Sequence, residues 1–493
     1  MTYDLDMLKS TEEYLRSLKD GRVIYYDGKR VEDVTTHKAL GVAVKHASDL
    51  YLLQQDEKYR QITVSDSAKH GKISSFFKIP VTSEDLEARF NLIYKTTEYG
   101  RGIFNIVKAI GSDAIFALMI SSYRVDRKYG TQYSSRIAAF YDYVAENDLS
   151  LAVAQTDVKG DRMKRPSEQS DPDMYVRIVG KSEAGITVRG AKAHTTQSVA
   201  ANELIVIPSR NMQKNEADYA VAFAVSPSAP GVKMISKPLK SVEDSNDNSE
   251  MVIGANNAET ETITIFDDVF VPWDRVFLAG EWDFAGLTAI MFPTFHRFTA
   301  IAYRSAMASL LIGLSKLLAE TNGVSGASHI RRDIVDLIMY KETLRSAGIS
   351  ASHNAICDSN RGICAPNTVF TNTGKLYANI HYTDIIRSAV DVAGGLAATL
   401  PSSADMKNPE TSHLLKKYLV GSDDRVEERF KLLNTMKYLI SSLNALFTTA
   451  MLHAEGSIEA SVIELFRSYD YSEDESLALY ASGIHDALTG ENK

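Results

Sequence analysis

Met174-Tyr175-Val176-Arg177-Ile178-Val179, then Glu183-Ala184-Gly185, then Ile186-Thr187-Val188-Arg189-Gly190: two runs rich in β-branched residues are joined by a short turn. Such runs, bounded by Gly and polar residues, read as a β-hairpin. Outward from it the strand character continues over Glu203 to Pro208, Tyr219 to Val225 and Thr262 to Val271. Polar Gln213 to Asp218 and Ser241 to Ser249 read as solvated loops between them. No helical segments alternate with these strands, so the expectation is an antiparallel β segment.

On both sides the period changes to that of helices. Upstream, Thr82-Ser83-Glu84-Asp85 opens a helical run with a capping-box-like start, and Ile79-Pro80 breaks the chain before it. Asp113 to Tyr123 mixes small and apolar residues without a turn signal. Downstream, Ile301, Leu310, Leu311, Leu314, Leu317 and Leu318 form one apolar stripe, and Met436, Leu439, Leu443 and Leu446 another. Gly394-Gly395 and Asn408-Pro409 punctuate that run. The fold class expected is α+β and multidomain: a helical domain over 1–148, a β domain over 149–280 and a helical bundle over 281–493.

The 493 residues carry 54 Lys plus Arg against 63 Asp plus Glu, and 44% are hydrophobic. That is globular composition, and its mildly acidic balance lacks the footprint of a general nucleic-acid binder. No run approaches the ~20 apolar residues of a membrane span. The acidic start Met-Thr-Tyr-Asp-Leu-Asp is unlike a targeting peptide, so a cytoplasmic location is expected. Two cysteines, Cys357 and Cys364, exclude a disulfide scaffold and an all-cysteine cluster, and read as reduced thiols. There is no Gly-x-Gly-x-x-Gly after a strand, no Walker-type loop, no Gly-x-Ser-x-Gly elbow and no His-Glu-x-x-His, so Rossmann, phosphate-loop, hydrolase-elbow and zincin chemistries have no motif here.

Three polar clusters remain. Glu146-Asn147-Asp148-Leu149 precedes Thr156-Asp157-Val158-Lys159-Gly160-Asp161-Arg162. This second run is either a solvated connector or a loop that reads a planar ring and meets a diphosphate through Lys159 or Arg162. Arg189 to Gln197 is either a turn with an exposed His194 or a ligand-binding strand end. Phe295-His296-Arg297 opens the apolar helix, where a histidine is a cap, a core contact or a base; the acid Glu261 is either a solvated edge residue or part of a site.

These clusters occur together in one family. With Lys128-Tyr129-Gly130, Asp171 to Arg177, Ile265 to Trp273 and Ala393-Gly394-Gly395-Leu396, the sequence resembles 4-hydroxybutyryl-CoA dehydratase, within the group that includes the large component of 4-hydroxyphenylacetate 3-hydroxylase. The resemblance runs over nearly the whole chain. It implies an acyl-CoA dehydrogenase-like fold with a β-barrel-like middle, FAD, and a homotetramer. It implies that Asn147, Thr156, Asp157, Lys159, Gly160, Asp161, Lys192, Thr195, Thr196 and Gln197 meet the flavin. Gly394 and Gly395 would lie near its adenosine end at a subunit contact.

The departures are as informative. The dehydratase holds a [4Fe–4S] cluster on three cysteines and one histidine; His296 matches the histidine, but the cysteine positions fall on Asn105, Ala109 and Tyr303. No [4Fe–4S] cluster and no other metal is therefore expected. The dehydratase's nearby Tyr and Lys fall on Ala300 and Arg304, while Glu261 keeps the position of an active-site acid. The monooxygenase's Arg-x-x-x-Tyr falls near Ile110 and Ala114. What the resemblance then implies is an FAD-dependent enzyme acting at a C–C bond of an activated acid such as an acyl-CoA, by oxidation, isomerisation or elimination. His296 would be the base, Glu261 would orient it or serve as acid, and Arg304 would hold a carboxylate or thioester oxygen. Two alternatives stand beside it: the oxygenase component of a two-component aromatic monooxygenase fed by a flavin reductase, and a flavin-binding protein without catalysis.

Overall fold

The computed structural model describes residues 8–239, 253, 256–358, 361–441 and 450–483. The predicted loop at Ser241 to Ser249 and the stripe residues Leu443 and Leu446 lie outside them.

The amino-terminal part holds α1 (Thr11–Ser17), α2 (Leu40–Gln55), α3 (Glu57–Thr63), α4 (Ser83–Tyr99), α5 (Ala109–Tyr129) and α6 (Tyr133–Glu146). The capping box at Thr82 and Asp85 is present: the Thr82 side chain accepts from Asp85 N, and the Asp85 carboxylate accepts from Thr82 N. This part is not all helical, as the sequence suggested. It also contains β1 (Ile24–Tyr26), β2 (Lys29–Val31), β3 (Val64–Ser67) and β4 (Gly71–Ser74). These strands are three or four residues long, too short for a period of two to register against the helical background.

The β segment comprises β5 (Leu151–Ala154), β6 (Arg177–Lys181), β7 (Gly185–Thr196), β8 (Glu203–Val206), β9 (Val221–Val225), β10 (Val232–Ser236), β11 (Glu261–Pro272) and β12 (Val276–Ala279). The opening hairpin is β6–β7, with Arg177 opposite Arg189 and Lys181 opposite Ile186. Two sheets result, ordered β2-β1-β10-β11-β7-β6 and β12-β9-β8-β5, so the segment is a pair of open sheets and not a closed barrel. Two pairings are parallel, β1 with β10 and β5 with β8, where the expectation was antiparallel throughout. Gln213 to Asp218 is not a solvated loop: it lies largely in a 3-10 turn whose Glu216 is buried against Arg165.

The carboxy-terminal part is built on α7 (Trp282–Thr321), followed by α8 (Ser328–His353), β13 (Ile356–Asp358), β14 (Ile363–Ala365), α9 (Thr368–Ile380), α10 (Tyr382–Ala393) and shorter helices. α7 is 40 residues long and is long and apolar enough to cross a membrane, but 78% of its most apolar window is buried inside the fold, as in a core helix. Of the first stripe, Ile301, Leu311, Leu314 and Leu318 are buried and Leu317 is exposed. Cys357 and Cys364 are not reduced thiols: they face each other across β13–β14 and form a disulfide.

Candidate active site

His296 does not open its helix; it lies in the middle of α7, which starts fourteen residues earlier at Trp282. Its Nδ1 is 3.1 Å from Asp113 Oδ2, and its ring stacks on Phe292 at 5.0 Å. Asp113 has no exposed surface. It is held from three sides: Arg89 donates to Oδ1 at 2.6 Å, Thr299 Oγ1 donates at 2.9 and 3.1 Å, and His296 takes Oδ2. A carboxylate buried this deeply needs such partners to remain charged. The approach of α5 that brings Asp113 here depends on Gly111, where a Cβ would lie 2.1 Å from the Leu151 side chain. With Nδ1 donating to Asp113, the neutral ring presents its lone pair at Nε2, which has no hydrogen-bond partner among the described residues.

Glu261, expected to orient His296, does not; that task falls to Asp113. Glu261 instead pairs with His194 across β11 and β7, 3.7 Å apart. Burial works against its charge, yet His194 and Lys237 together hold the carboxyl below its ordinary value. Pairing with Glu261 raises His194 in turn.

Arg304, one turn pair further along α7, is fully buried and already engaged: Nη2 donates to Glu455 at 2.8 Å and Nη1 to Asn379 at 3.1 Å. Its charge is thus taken up by Glu455, while its Nε is buried without a hydrogen-bond partner. Tyr303 donates to the other oxygen of Glu455 and stacks on Phe104 at 4.7 Å. Burial opposes the charge of Glu455, but the fields of Arg304, Lys375 and His296 outweigh it and keep the carboxyl low. Sequence reading missed Asp113 and Glu455. Asp113 stood in Gly111-Ser112-Asp113-Ala114 with no sign that it would meet a histidine 183 residues away. Glu455 occupies a left-handed turn between two short helices, φ +58°, and only its burial gives it away.

The loop and strand-end residues do converge. Thr156 O accepts from Ala193 N, and Asp157 bridges to Lys192. Lys192 Nζ is 2.7 Å from Asp157 Oδ1 and donates to Gln155 O and Ile207 O at 2.9 and 3.0 Å, which uses all three of its protons. Lys192 is thus a staple under the loop. Gln197 is another: its Nε2 donates to Ala43 O and Ala258 O at 3.4 Å. Arg189 to Thr196 is not a turn but the greater part of the twelve-residue β7, with Gln197 just beyond it. Lys159 and Gly160 adopt left-handed backbone, with φ of +74° and +51°. A Cβ at Gly160 would meet the Met174 sulfur at 2.2 Å. The charge of Lys159 reaches both Lys192, which burial chiefly lowers, and His194, which Glu261 raises on balance. Asp161 is exposed, its N bonded to Gln169.

Thr195 Oγ1 is buried without a partner, beside Thr196, which pairs across to Glu261. An orphaned hydroxyl at this place fits a bound polar ring, since such atoms are otherwise paired. Asn147 is not drawn in: it caps α6, is exposed, and donates to Tyr143 O of its own helix. Gly394 and Gly395 line a 490 Å³ open cavity with Asn322, Ser422 and Arg429 at the end of α10, apart from the β segment within one chain.

The residues at the cysteine positions of the dehydratase do not fit an iron–sulfur cluster. Asn105 donates to His46 O, Ala109 is buried, Tyr303 is bonded to Glu455, and Cys357 and Cys364 are joined to each other. Among the described residues no group of three or more His, Cys, Asp or Glu is placed to hold a metal ion.

The 4-hydroxyphenylacetate 3-hydroxylase N terminal family matches residues 10–278 and the corresponding C terminal family residues 285–483. The 4-hydroxybutyryl-CoA dehydratase/vinylacetyl-CoA-Delta-isomerase of Clostridium aminobutyricum is 31% identical over 497 residues, spanning 97% of this chain and 100% of its own. The 4-hydroxyphenylacetate 3-monooxygenase oxygenase component of Thermus thermophilus is 28% identical, over 86% of this chain and 87% of its own. Among solved structures, an archaeal 4-hydroxybutyryl-CoA dehydratase from N. maritimus superposes with a TM-score of 0.91 at 30% identity, covering 99% of this chain and 97% of its own. An oxygenase component of 4-hydroxyphenylacetate 3-monooxygenase, complexed with FAD and 4-hydroxyphenylacetate, gives 0.88 at 25% identity, covering 97% and 99%. The chain belongs to the 4-hydroxyphenylacetate 3-hydroxylase family, whose named members include both a dehydratase and aromatic monooxygenases.

Proposed function

We propose that the protein is an FAD-dependent enzyme acting at a C–C bond of an activated acid, with an acyl-CoA thioester as substrate. The observation that carries this reading is His296, fixed at Nδ1 by buried Asp113 and left open at Nε2. That is the build of a general base for a carbon acid next to a carbonyl. A thioester carbonyl activates such a proton, and the full-length relative from C. aminobutyricum is named for acyl-CoA chemistry.

Thr156, Lys159, Gly160, Asp161, Thr195 and Thr196 would hold the flavin, with Asp157, Lys192 and Gln197 fixing the surface beneath it. Bound there, FAD supplies electron exchange with the substrate carbon chain. Gly394 and Gly395 would receive the adenosine end from a neighbouring copy in a homotetramer. The apolar row Val335, Ile338, Met339 and Ile349, exposed along α8, suits a subunit contact. The division at 1–148, 149–280 and 281–493, with an acyl-CoA dehydrogenase-like arrangement, belongs to the same proposal: the flavin loops sit in the middle part and the base in the last. Glu261 raises His194 above its ordinary value, and Arg304 holds the Glu455 carboxyl low against its burial.

The second reading, an oxygenase component that receives reduced FAD from a partner reductase, is favoured by the FAD-bound oxygenase structure. Against it, Ile110 and Ala114, near which the Arg-x-x-x-Tyr pair falls, are buried apolar residues of α5. An anaerobic spectrum titrated with short acyl-CoA thioesters tests the choice. A bound flavin perturbed or bleached by a thioester supports the first reading. A protein that ignores thioesters and binds reduced FAD overturns it in favour of the second.

A further inference from the structure

Between α8 and α9 the chain makes a short excursion, β13–β14, whose two strands are unequal. All of β14, Ile363, Cys364 and Ala365, is buried. Nothing in β13 is: Ile356 is 63% exposed, and Cys357 beside it is exposed as well. A three-residue strand with no buried side chain is held weakly by its ladder alone. Asp358 adds an ion pair, but to Arg361 of the same hairpin. The firmest tie of β13 to the buried strand is the bond from Cys357 to Cys364, its direct partner across the pair. The inner side of the hairpin reaches in turn to the amino-terminal part. Cys364 N donates to Pro80 O, ahead of α4, and Arg361 Nη1 donates to Ile120 O of α5 with its guanidinium over the Tyr123 ring. The base of the excursion is fastened separately. Asn367, which caps α9, donates from N to Ala351 O and from Nδ2 to Asn354 O, so opening the hairpin leaves α8 and α9 in place. The cross-link spans only seven positions, and a loop that short restrains the unfolded chain least. Its hold is on the hairpin and not on the whole fold.

We infer that Cys357–Cys364 is a reversible thiol–disulfide exchange site, entered at Cys357 by a dithiol, whose reduction unfastens this clamp between the two helical parts. The site is independent of the functional reading above and needs no substrate. One thiolate of the dithiol attacks the Cys357 sulfur; the S–S bond breaks, and Cys364 leaves as a thiolate that takes up a proton. The second thiol of the dithiol then loses its proton and attacks the dithiol's own first sulfur in the mixed disulfide. Cys357 is released and protonated. Two electrons pass from the dithiol, which ends as a disulfide, to the cystine, which ends as two thiols. Attack falls on Cys357 because its partner is sealed from solvent. The same seal keeps Cys364 protonated and inert once it is released.

The experiment compares the FAD-loaded protein oxidised, reduced with dithiothreitol, and as Cys357→Ser. Under native conditions dithiothreitol should open the bond, and iodoacetamide should then label Cys357 at least about tenfold faster than Cys364. Oxidised glutathione should restore the link. Amide hydrogen exchange in the reduced protein should rise about tenfold or more in β13 and β14, the Cys364 amide included, while α8, α9 and flavin retention stay as they were. Cys357→Ser should show the same exchange without reductant and no further response to dithiothreitol. A bond that yields to dithiothreitol only in denaturant overturns the assignment, and so do thiols that are free on isolation and that oxidised glutathione does not join. Reduced protein and Cys357→Ser that both exchange like the oxidised wild type overturn the clamp. Global unfolding on reduction does so too, since the bond would then be a staple of the whole fold.

Discussion

Two buried acid–base pairs bridge distant parts of this chain and differ in one respect. In Asp157–Lys192 every proton of the ammonium has a protein acceptor. In Asp113–His296 the carboxylate is saturated but the imidazole keeps one nitrogen without a partner. The first pair is closed and holds a loop to a sheet; the second is open and can act on something else. Residue type says nothing of this difference, because Lys192 and His296 were both credible site residues by pattern. What separates them is unused hydrogen-bonding capacity.

The comparison can be broken most directly at its open member. His296→Ala should reduce turnover by about 10²- to 10⁴-fold while the folded protein keeps its FAD; unchanged kinetics would remove the distinction. At the closed member, Lys192→Met leaves Asp157 buried without its cation and two carbonyls without donors. A loss of about 3–5 kcal/mol in denaturant unfolding is expected, with flavin retention falling only as a consequence. If Lys192→Met unfolds like wild type but cannot bind FAD, Lys192 is a ligand and not a staple. Thr299→Val takes one hydroxyl from Asp113 and leaves the carboxylate its Arg89 partner. It should cost about 1–2 kcal/mol and lower turnover less than His296→Ala, as a supporting contact should.

A pH comparison sharpens the same point with the smallest effect. Glu259 is raised from 4.5 to about 8, so the folded state holds a proton that the unfolded state has released between those values. Stability therefore falls as pH rises through that window. Glu259→Gln should remove this slope, becoming more stable relative to wild type as pH approaches 8. Parallel melting curves across the window would contradict the assignment.

The helix–sheet–helix order was readable because long runs carry their period plainly: α7 and the β6–β7 hairpin are cases. β1 was not, since three residues, Ile24 to Tyr26, show no alternation; their place is set by pairing with β10. The disulfide escaped for a related reason: a separation of seven positions from Cys357 to Cys364 gave no hint of the two short strands that bring them together. At the site, His296 and the Thr156 loop were visible through resemblance. The partners that decide their roles were not, because Asp113 and Glu455 are ordinary acids until their burial and the partners gathered on them single them out. Arg304 erred the other way: a basic residue near a proposed site turned out to be neutralised by Glu455.

The parallel pairing of β1 with β10 also has a bearing on how the chain is made. Ile24 lies beside Met234, 210 positions later. At a ribosomal pace of roughly 5–20 residues per second, β1 waits on the order of ten to forty seconds before its neighbour emerges. Over that interval the amino-terminal strand hairpin is an uncovered edge on a nascent chain, open to wrong partners. The six-stranded sheet can be completed only after β10 and then β11 arrive. Synthesis speed through residues 30 to 270 is thus a determinant of yield, and slowing or crowding translation there should raise aggregation before any effect on the mature enzyme is seen.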